Sequence, residues 1–312
     1  MGSGRFSATD WDRFTASTTA GRTREAIFTA SGLKDALDPA KVRNLMRESR
    51  DSADNPESSA IIVALDVTGS MHKIPEYMVR EGLPALFDNI YTRKPVTDPH
   101  VMFMGVGDVV YDRAPLQVSQ FEADIRIAAQ LKDLYLEGGG GGNMTESYTL
   151  PWYFAGLHTA IDCFEKRGKR GYLFTVGDEM VPPVLAVEQI GSVMGVRPQA
   201  DFSAQQLLDL ASRQYHVFHV VVQQGSNYRA HPDKVRASWT DIIGQRALML
   251  SDYTKLAEVI VSAIEITEGA NAADVAASWS GSTALVVKGA TGGLQKAGAG
   301  GAVRRFLGGL RS

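Results

Sequence analysis

Five short apolar runs punctuate the chain. They are "AIIVAL" (60–65), "VMFMGVG" (101–107), "GYLFTVG" (171–177), "YHVFHVVV" (215–222) and the shorter "RALML" (246–250). A strand that is apolar on both faces must be covered on both, as in a parallel sheet. Segments with helical spacing lie between the runs. "IPEYMVREGLPALFDNIYT" follows the first; "FEADIRIAAQLKDLYLE" and "ESYTLPWYFAGLHTAIDCFEKR" precede the third; "AQQLLDLASRQ" precedes the fourth; "DYTKLAEVIVSAIEIT" follows the last. The alternation predicts an α/β fold, doubly wound and Rossmann-like, with a mostly parallel sheet covered by helices on both faces. Its inner strands are expected at 60–65, 101–106, 172–177 and 216–222. "GDVVYDRAPLQVSQFE" leaves no room for a crossover helix before "PLQVS", so a short antiparallel edge strand is expected there. Pro75 suits an early helical position, whereas Pro84 and Pro151 predict kinks or breaks.

The same pattern divides the chain. Residues 1–58 are polar and short of strand signals, and read as a partly helical N-terminal arm lying against the domain. Residues 59–268 carry the α/β pattern. From 269 to 312 the chain turns small and Gly-rich, ending in "GATGGLQKAGAGGAVRRFLGGLRS", and reads as a flexible, mildly basic tail. No internal repeat of fixed period is present. With 312 residues, 44% of them hydrophobic, the chain can bury a substantial core. A formal net charge of -3 gives no global attraction to nucleic acid. No apolar stretch approaches the ~20 residues that span a bilayer. The N-terminus lacks the apolar core of a secretory signal, and Phe6 breaks the myristoylation pattern that Gly2 opens. The single Cys163 excludes an intramolecular disulfide and reads as a small core residue. A cytoplasmic protein is the expectation.

Candidate chemistry gathers where the strands end, because ligands of such sheets bind at the carboxyl ends of the strands. The first strand delivers Asp66, then Thr68 and Ser70 at alternate positions. The third delivers Asp178 in "VGDEM". The loop "LEGGGGGNMTES" contributes Asn143, Thr145 and Glu146, and Asp108 ends the second strand. Hard oxygens of this kind suit Mg²⁺. Hydroxyls after an acid also make ordinary turns and caps, and Asp108 fits a turn cap as well as a supporting place behind a metal. The glycines 138–142 are not followed by the Lys and Ser/Thr of a phosphate-binding loop, so they read as a flexible rim. His216 and His219 are three apart in a strand and face opposite sides; His72 has no evident task among hard-oxygen ligands. The aromatic group 148–154 reads as core packing.

D-x-T-x-S after a buried strand resembles the metal-ion-dependent adhesion site (MIDAS) of von Willebrand factor A (vWA) domains, usually D-x-S-x-S. The order of elements over about 59–268 is similar to that fold. The resemblance implies that Asp66, Thr68, Ser70 and Asp178 are metal ligands. The second loop departs from the commonest form, lacking G-x-T. "GGNMTES" looks more like the integrin β-subunit version, which implies Glu146 as ligand, with Thr145 as the fallback and Asn143 and Asp108 as lesser candidates. It implies further a Mg²⁺ cofactor, with Mn²⁺ or Ca²⁺ in its place, and a protein partner that presents an Asp or Glu. Bacterial and phage-borne proteins of this fold often look like subunits working with an ATPase or kinase. The implied function is binding and not catalysis. Two other readings compete. A haloacid-dehalogenase-like Mg²⁺ phosphohydrolase also places an Asp after a buried strand, but wants a second carboxylate two residues on, where this chain has Thr68. The other is a metal-free scaffold of the same fold.

Overall fold

The computed structural model describes residues 4, 7–42, 46–71, 73–137, 142 and 144–294. Ten strands are named here in chain order: β1 Arg47–Ser49, β2 Ser59–Asp66, β3 Pro99–Val106, β4 Leu116–Val118, β5 Thr159–Ile161, β6 Gly171–Gly177, β7 Val184–Leu185, β8 Phe202–Ser203, β9 Tyr215–Val222 and β10 Ala247–Leu250. Six of them form the central sheet in the order β10-β9-β6-β2-β3-β4. All neighbours in it are parallel except β3 and β4, which pair antiparallel. The chain is thus a doubly wound α/β protein with an antiparallel edge strand, as the apolar runs indicate.

Alternation along β2 explains why its sequence is apolar throughout. Ile61, Val63 and Leu65 enter one core, with the helices Leu83–Arg93 and Leu256–Thr267. Ala60, Ile62 and Ala64 enter the other, with Thr149–Leu157, Ala204–Ala211 and Pro232–Ile243. Both faces are therefore dry, and β2 lies in the middle of the sheet.

Several local expectations are corrected. Pro84 does not break its helix. A π-helical turn, Met78–Gly82, precedes it, and the Leu83 N–H reaches back to Met78 O, so the backbone widens just where proline offers no donor. Pro151 is the third residue of its helix, within the first turn, where no intrahelical acceptor waits for its N–H. The long helix expected through residue 167 stops at Leu157. Thr159–Ile161 then runs extended and pairs in parallel with Arg47–Ser49 of the N-terminal arm, in keeping with the β-branched Thr159 and Ile161 at alternate positions. In 121–137 only Arg126–Lys132 is helical, because Glu122 is held in a bridge to Val101.

The ends of the domain also move. The stretch from residue 269, expected to be a tail, is largely helical over its described part: Ala272–Ala277 and Gly281–Thr291 are helices, and Val275, Ala276, Val286, Val287, Ala290 and Leu294 are buried in the first core. The mean polarity of this stretch hides an amphipathic pattern made of small residues. Residues 295–312 lie outside the described residues. The N-terminal arm is docked. Trp11 packs on Phe87 with ring centroids 5.4 Å apart, and the Arg80 guanidinium donates to the carbonyls of Thr19 and Arg22.

The last helix supplies a direct check. Val287 is fully buried while Leu285, two residues earlier, is 72% exposed. Val287→Asp places an unpaired charge in the core and should lower stability by several kcal/mol, whereas Leu285→Asp should stay within about 0.5 kcal/mol of the parent. Urea unfolding followed by circular dichroism reads both; equal midpoints would show that this helix is not part of the core.

Candidate metal centre

From β2 the chain passes to β3 on one side, and from β6 it passes to β9 on the other. The crevice between β2 and β6 is therefore the point where the winding reverses, and the loops leaving these strands diverge there. The sequence places its acids and alcohols at that crevice.

Asp66 is the last residue of β2 and is fully buried. Its Oδ1 accepts the Thr68 N–H at 2.9 Å and the Thr68 hydroxyl at 2.6 Å. Its Oδ2 accepts the Tyr148 hydroxyl at 2.8 Å. The Thr68 and Ser70 hydroxyls lie 3.3 Å apart, and Ser70 Oγ donates to Asp178 Oδ1 at 2.7 Å. Asp178 Oδ2 accepts the Asn227 N–H at 2.8 Å. A continuous string of carboxylate, alcohol, alcohol and carboxylate thus crosses the crevice.

Glu146 approaches from the third loop. A parallel bridge between Thr145 and Met180 and the Ser147 N–H donated to Gly107 O at 3.1 Å hold this loop beside the first two. Glu146 is buried, and its Oε2 has no hydrogen-bond partner among the described residues. The same holds for Oε2 of Glu179, whose other oxygen accepts the Asn227 side-chain amide.

The electrostatics of these acids are mutually adverse. Burial, then the charge of Asp178, raises Asp66 well above the ordinary carboxylate range. Burial, followed by Asp66, Glu179, Asp112 and Asp108, raises Glu146 further. Glu179 is pushed up to about 8 by burial and by Asp66 and Asp178. Among the described residues no Lys or Arg forms an ion pair with Asp66, Glu146, Asp178 or Glu179. Anionic oxygens without a protein cation fit a hard divalent ion, and so does the buried orphan oxygen of Glu146. The acids are spaced by alcohols: among the described residues no three His, Cys, Asp or Glu side chains form a ligand cluster by themselves.

Of the nominated residues, Asp66, Thr68, Ser70 and Asp178 are joined by hydrogen bonds, and Glu146 is coupled to Asp66 through charge. Thr145 contributes its backbone bridge. Asp108 Oδ1 accepts the Val110 N–H at 2.7 Å and so caps a turn, while its charge acts on Glu146 and Glu179. Asn143 and His72 lie outside the described residues. His219 is buried, stacked on Trp239 with centroids 3.4 Å apart, and its Nδ1 is 2.8 Å from the Thr175 hydroxyl. His216 packs on Tyr172 and Cys163 is buried, so both read as structural.

Sequence reasoning missed four participants: Tyr148, Glu179, Asn227 and Gly225. Glu179 stands next to Asp178 in "VGDEM" and was visible as a second acid. Tyr148 was hidden in an aromatic stretch. Asn227 belongs to no motif. Gly225 is required by space, since a Cβ there would lie 2.2 Å from Asp178 Oδ2. Gly177 is required in the same way, because its Cβ would lie 2.0 Å from the Tyr148 hydroxyl.

Comparison with known proteins gives remote likenesses of structure. No family model matches the chain, and no curated protein matches it by sequence. Among solved structures, the pilus adhesin SpaC from Lactobacillus rhamnosus GG aligns over 70% of this chain and 32% of its own, with 9% identity and a TM-score of 0.44. Proximal thread matrix protein 1 from the mussel byssus aligns over 67% of this chain and 47% of its own, with 12% identity and a TM-score of 0.40. A von Willebrand factor type A structure from Catenulispora acidiphila aligns over 67% and 42%, with 14% identity and a TM-score of 0.33. The chain thus spans between a third and a half of the length of these proteins.

The raised carboxyls have a stated consequence for the metal-free protein. Asp66, Glu146 and Glu179 keep protons in the fold that the unfolded chain releases near pH 4. The stability they confer is therefore full below about pH 4 and is lost as pH rises through their folded values, about 7 for Asp66, about 8 for Glu179 and about 11 for Glu146. In chelator, Glu146→Gln should raise the thermal midpoint at pH 8 and change little at pH 4. A variant that is no more stable than the parent at pH 8 would mean that Glu146 is not under this electrostatic load.

Proposed function

We propose that the chain is a vWA-like interaction module that holds a divalent cation, Mg²⁺ in the first instance, and captures an acidic residue of a protein partner. The buried Glu146 oxygen, which has no hydrogen-bond partner among the described residues and lies beside the string Asp66–Thr68–Ser70–Asp178, carries this reading. In it, Asp66 and Asp178 supply charge from the two sides of the crevice, Glu146 supplies it from the third loop, and Thr68 and Ser70 supply neutral oxygens. Tyr148 and Asn227 fix the acids from behind. A bound Mg²⁺ would supply an electrophilic position that a partner's carboxylate completes.

The position two residues after Asp66 favours binding over phosphoryl chemistry. Thr68 stands there, and its hydroxyl is donated to Asp66, so that place has no carboxyl to shuttle a proton. The rim also carries apolar surface. Val110 and Tyr111, on the turn capped by Asp108, are 60% and 59% exposed. That turn is tied to the Glu146 loop by the Val109 N–H donated to Ser147 Oγ at 2.9 Å. An exposed aromatic beside a polar site suits a protein partner. No helix among the described residues is long and apolar enough to cross a membrane. A cytoplasmic setting, which comes from the reading of the sequence, and an ATPase- or kinase-type subunit as partner, which the resemblance supplies, are also parts of the proposal.

Mn²⁺ binding followed by electron paramagnetic resonance tests the cation directly. The wild type should bind one ion, Mg²⁺ should compete, and Asp66→Ala should abolish the site while leaving the circular dichroism spectrum unchanged. No binding by the wild type would overturn the reading. Once a partner is in hand, Asp66→Ala and chelation should each weaken its capture by about 2–5 kcal/mol, roughly 30- to 4,000-fold. A panel of phosphomonoesters with Mg²⁺ should give no turnover; hydrolysis that disappears in Asp66→Asn would favour the phosphohydrolase instead.

A further inference from the structure

A cleft opens directly beside the carboxylate string. Its volume is about 530 Å³, and Ser70 and Gly225 form the wall that it shares with the site. Ser70 donates to Asp178, and Gly225 leaves room for that same carboxylate. The cleft and the string are therefore one continuous surface. Its cationic walls come from three separate parts of the chain. Arg24 comes from the N-terminal arm, Lys73 from the turn after Ser70, and Arg229 from the helix Ser226–Ala230 whose first turn binds Asp178 through Asn227. Tyr253 and Gln224 close the far side, with the Tyr253 N–H donated to Gln224 Oε1 at 2.7 Å.

The charge here is opposite to that of the neighbouring string. Three cationic side chains line the cleft, and Lys73 and Arg229 are exposed and form no ion pair among the described residues. The acid nearest in sequence to Tyr253, Asp252, has Oδ1 engaged by the N–H and hydroxyl of Thr254 at 3.0 and 2.8 Å. Lys255 lies 3.4 Å from Glu258. The folded chain thus assembles a cationic recess against a carboxylate-rich crevice, with the N-terminal arm supplying part of the wall.

We propose that this cleft receives a second acidic side chain from the partner segment whose first acid is taken at the Asp66–Asp178 site. The partner recognised is then a peptide segment with at least two nearby Asp or Glu residues. This inference rests on the proposed metal-dependent reading. It adds that Arg24, Lys73 and Arg229 select among acidic segments, since charges at the rim of an interface set partner choice and encounter rate. The N-terminal arm, which packs outside the sheet, acquires a role in recognition through Arg24.

A phage-displayed random peptide library, panned on the full chain in Mg²⁺ and again in chelator, tests this. Three proteins are compared: wild type, Asp66→Ala, and the pair Lys73→Glu with Arg229→Glu. Both residues of the pair are exposed, and thermal unfolding verifies that the variants are folded. In Mg²⁺ the wild type should select peptides with two or more acids. A synthetic peptide of the selected sequence, read by fluorescence anisotropy, should bind the charge-reversed pair at least about tenfold more weakly, and the pair should no longer select for the second acid. Acid-rich selection that charge reversal leaves unchanged would overturn the role of the cleft while the metal reading stands. Selection that is lost on charge reversal but indifferent to chelator and to Asp66→Ala would keep the cleft and overturn the metal reading. Absence of any acidic selection would overturn the proposal. Titration with inorganic phosphate in chelator supplies the last arm: saturable binding lost in the charge-reversed pair would assign the cleft to phosphate and overturn the acidic-peptide reading.

Discussion

A carboxylate at the end of a strand that is dry on both faces has no water to neutralise it. Asp66 is in that position, and the surrounding rim is arranged around the constraint. Its oxygens accept three hydrogen bonds, two from Thr68 and one from Tyr148, yet all three donors are neutral. Hydrogen bonds moderate the cost of burying an anion but do not cancel its charge. The neighbouring loops then add Asp178, Glu146 and Glu179, which makes the field more negative. A fold that buries four acids together places like charges where they oppose one another, at a cost to its own stability.

The geometry around these acids depends on small spaces. Tyr148 reaches Asp66 only because Gly177 has no side chain, and Asp178 reaches Asn227 only because Gly225 has none. Tyr148 also packs edge-on against His219 and Trp239, and the Trp239 indole N–H is donated to Glu179 O at 2.8 Å. Aromatic packing in the second core is thus connected, through one hydroxyl and one indole, to the orientation of two acids at the rim. The aromatic stretch 148–154 is core, and Tyr148 is also part of the site.

The sequence made the scaffold readable because burial on both faces leaves a strong signal. The four inner strands are contiguous apolar runs, and the apolar run of similar length at 150–157 is set apart as a helix by Pro151 in its first turn. The first loop was readable for a different reason: Asp66, Thr68 and Ser70 lie within five consecutive residues, so their spacing is local. What escaped was non-local or small in side chain. Arg47–Ser49 has no apolar signature, since its pairing with Thr159–Ile161 is set by the arm's docking. The helices over 272–291 are made largely of Ala, Val, Gly and Ser, and composition alone reads such a stretch as a tail. Asn227 and Gly225 hold Asp178 through a backbone N–H and an absent Cβ, neither of which marks a sequence.

The link between Ser70 and Asp178 has a consequence for how the chain reaches this state. It joins residues 108 positions apart, and it spans two parallel strands that become neighbours only after a long crossover. Contacts of such sequence separation form late, because the loop entropy must be met before they contribute. During synthesis Asp66 leaves the ribosome long before Asp178, and longer still before the Asn227 that anchors it. The rim is therefore complete only in a chain that has paired β2 with β6, and only such a chain presents the whole set of oxygens.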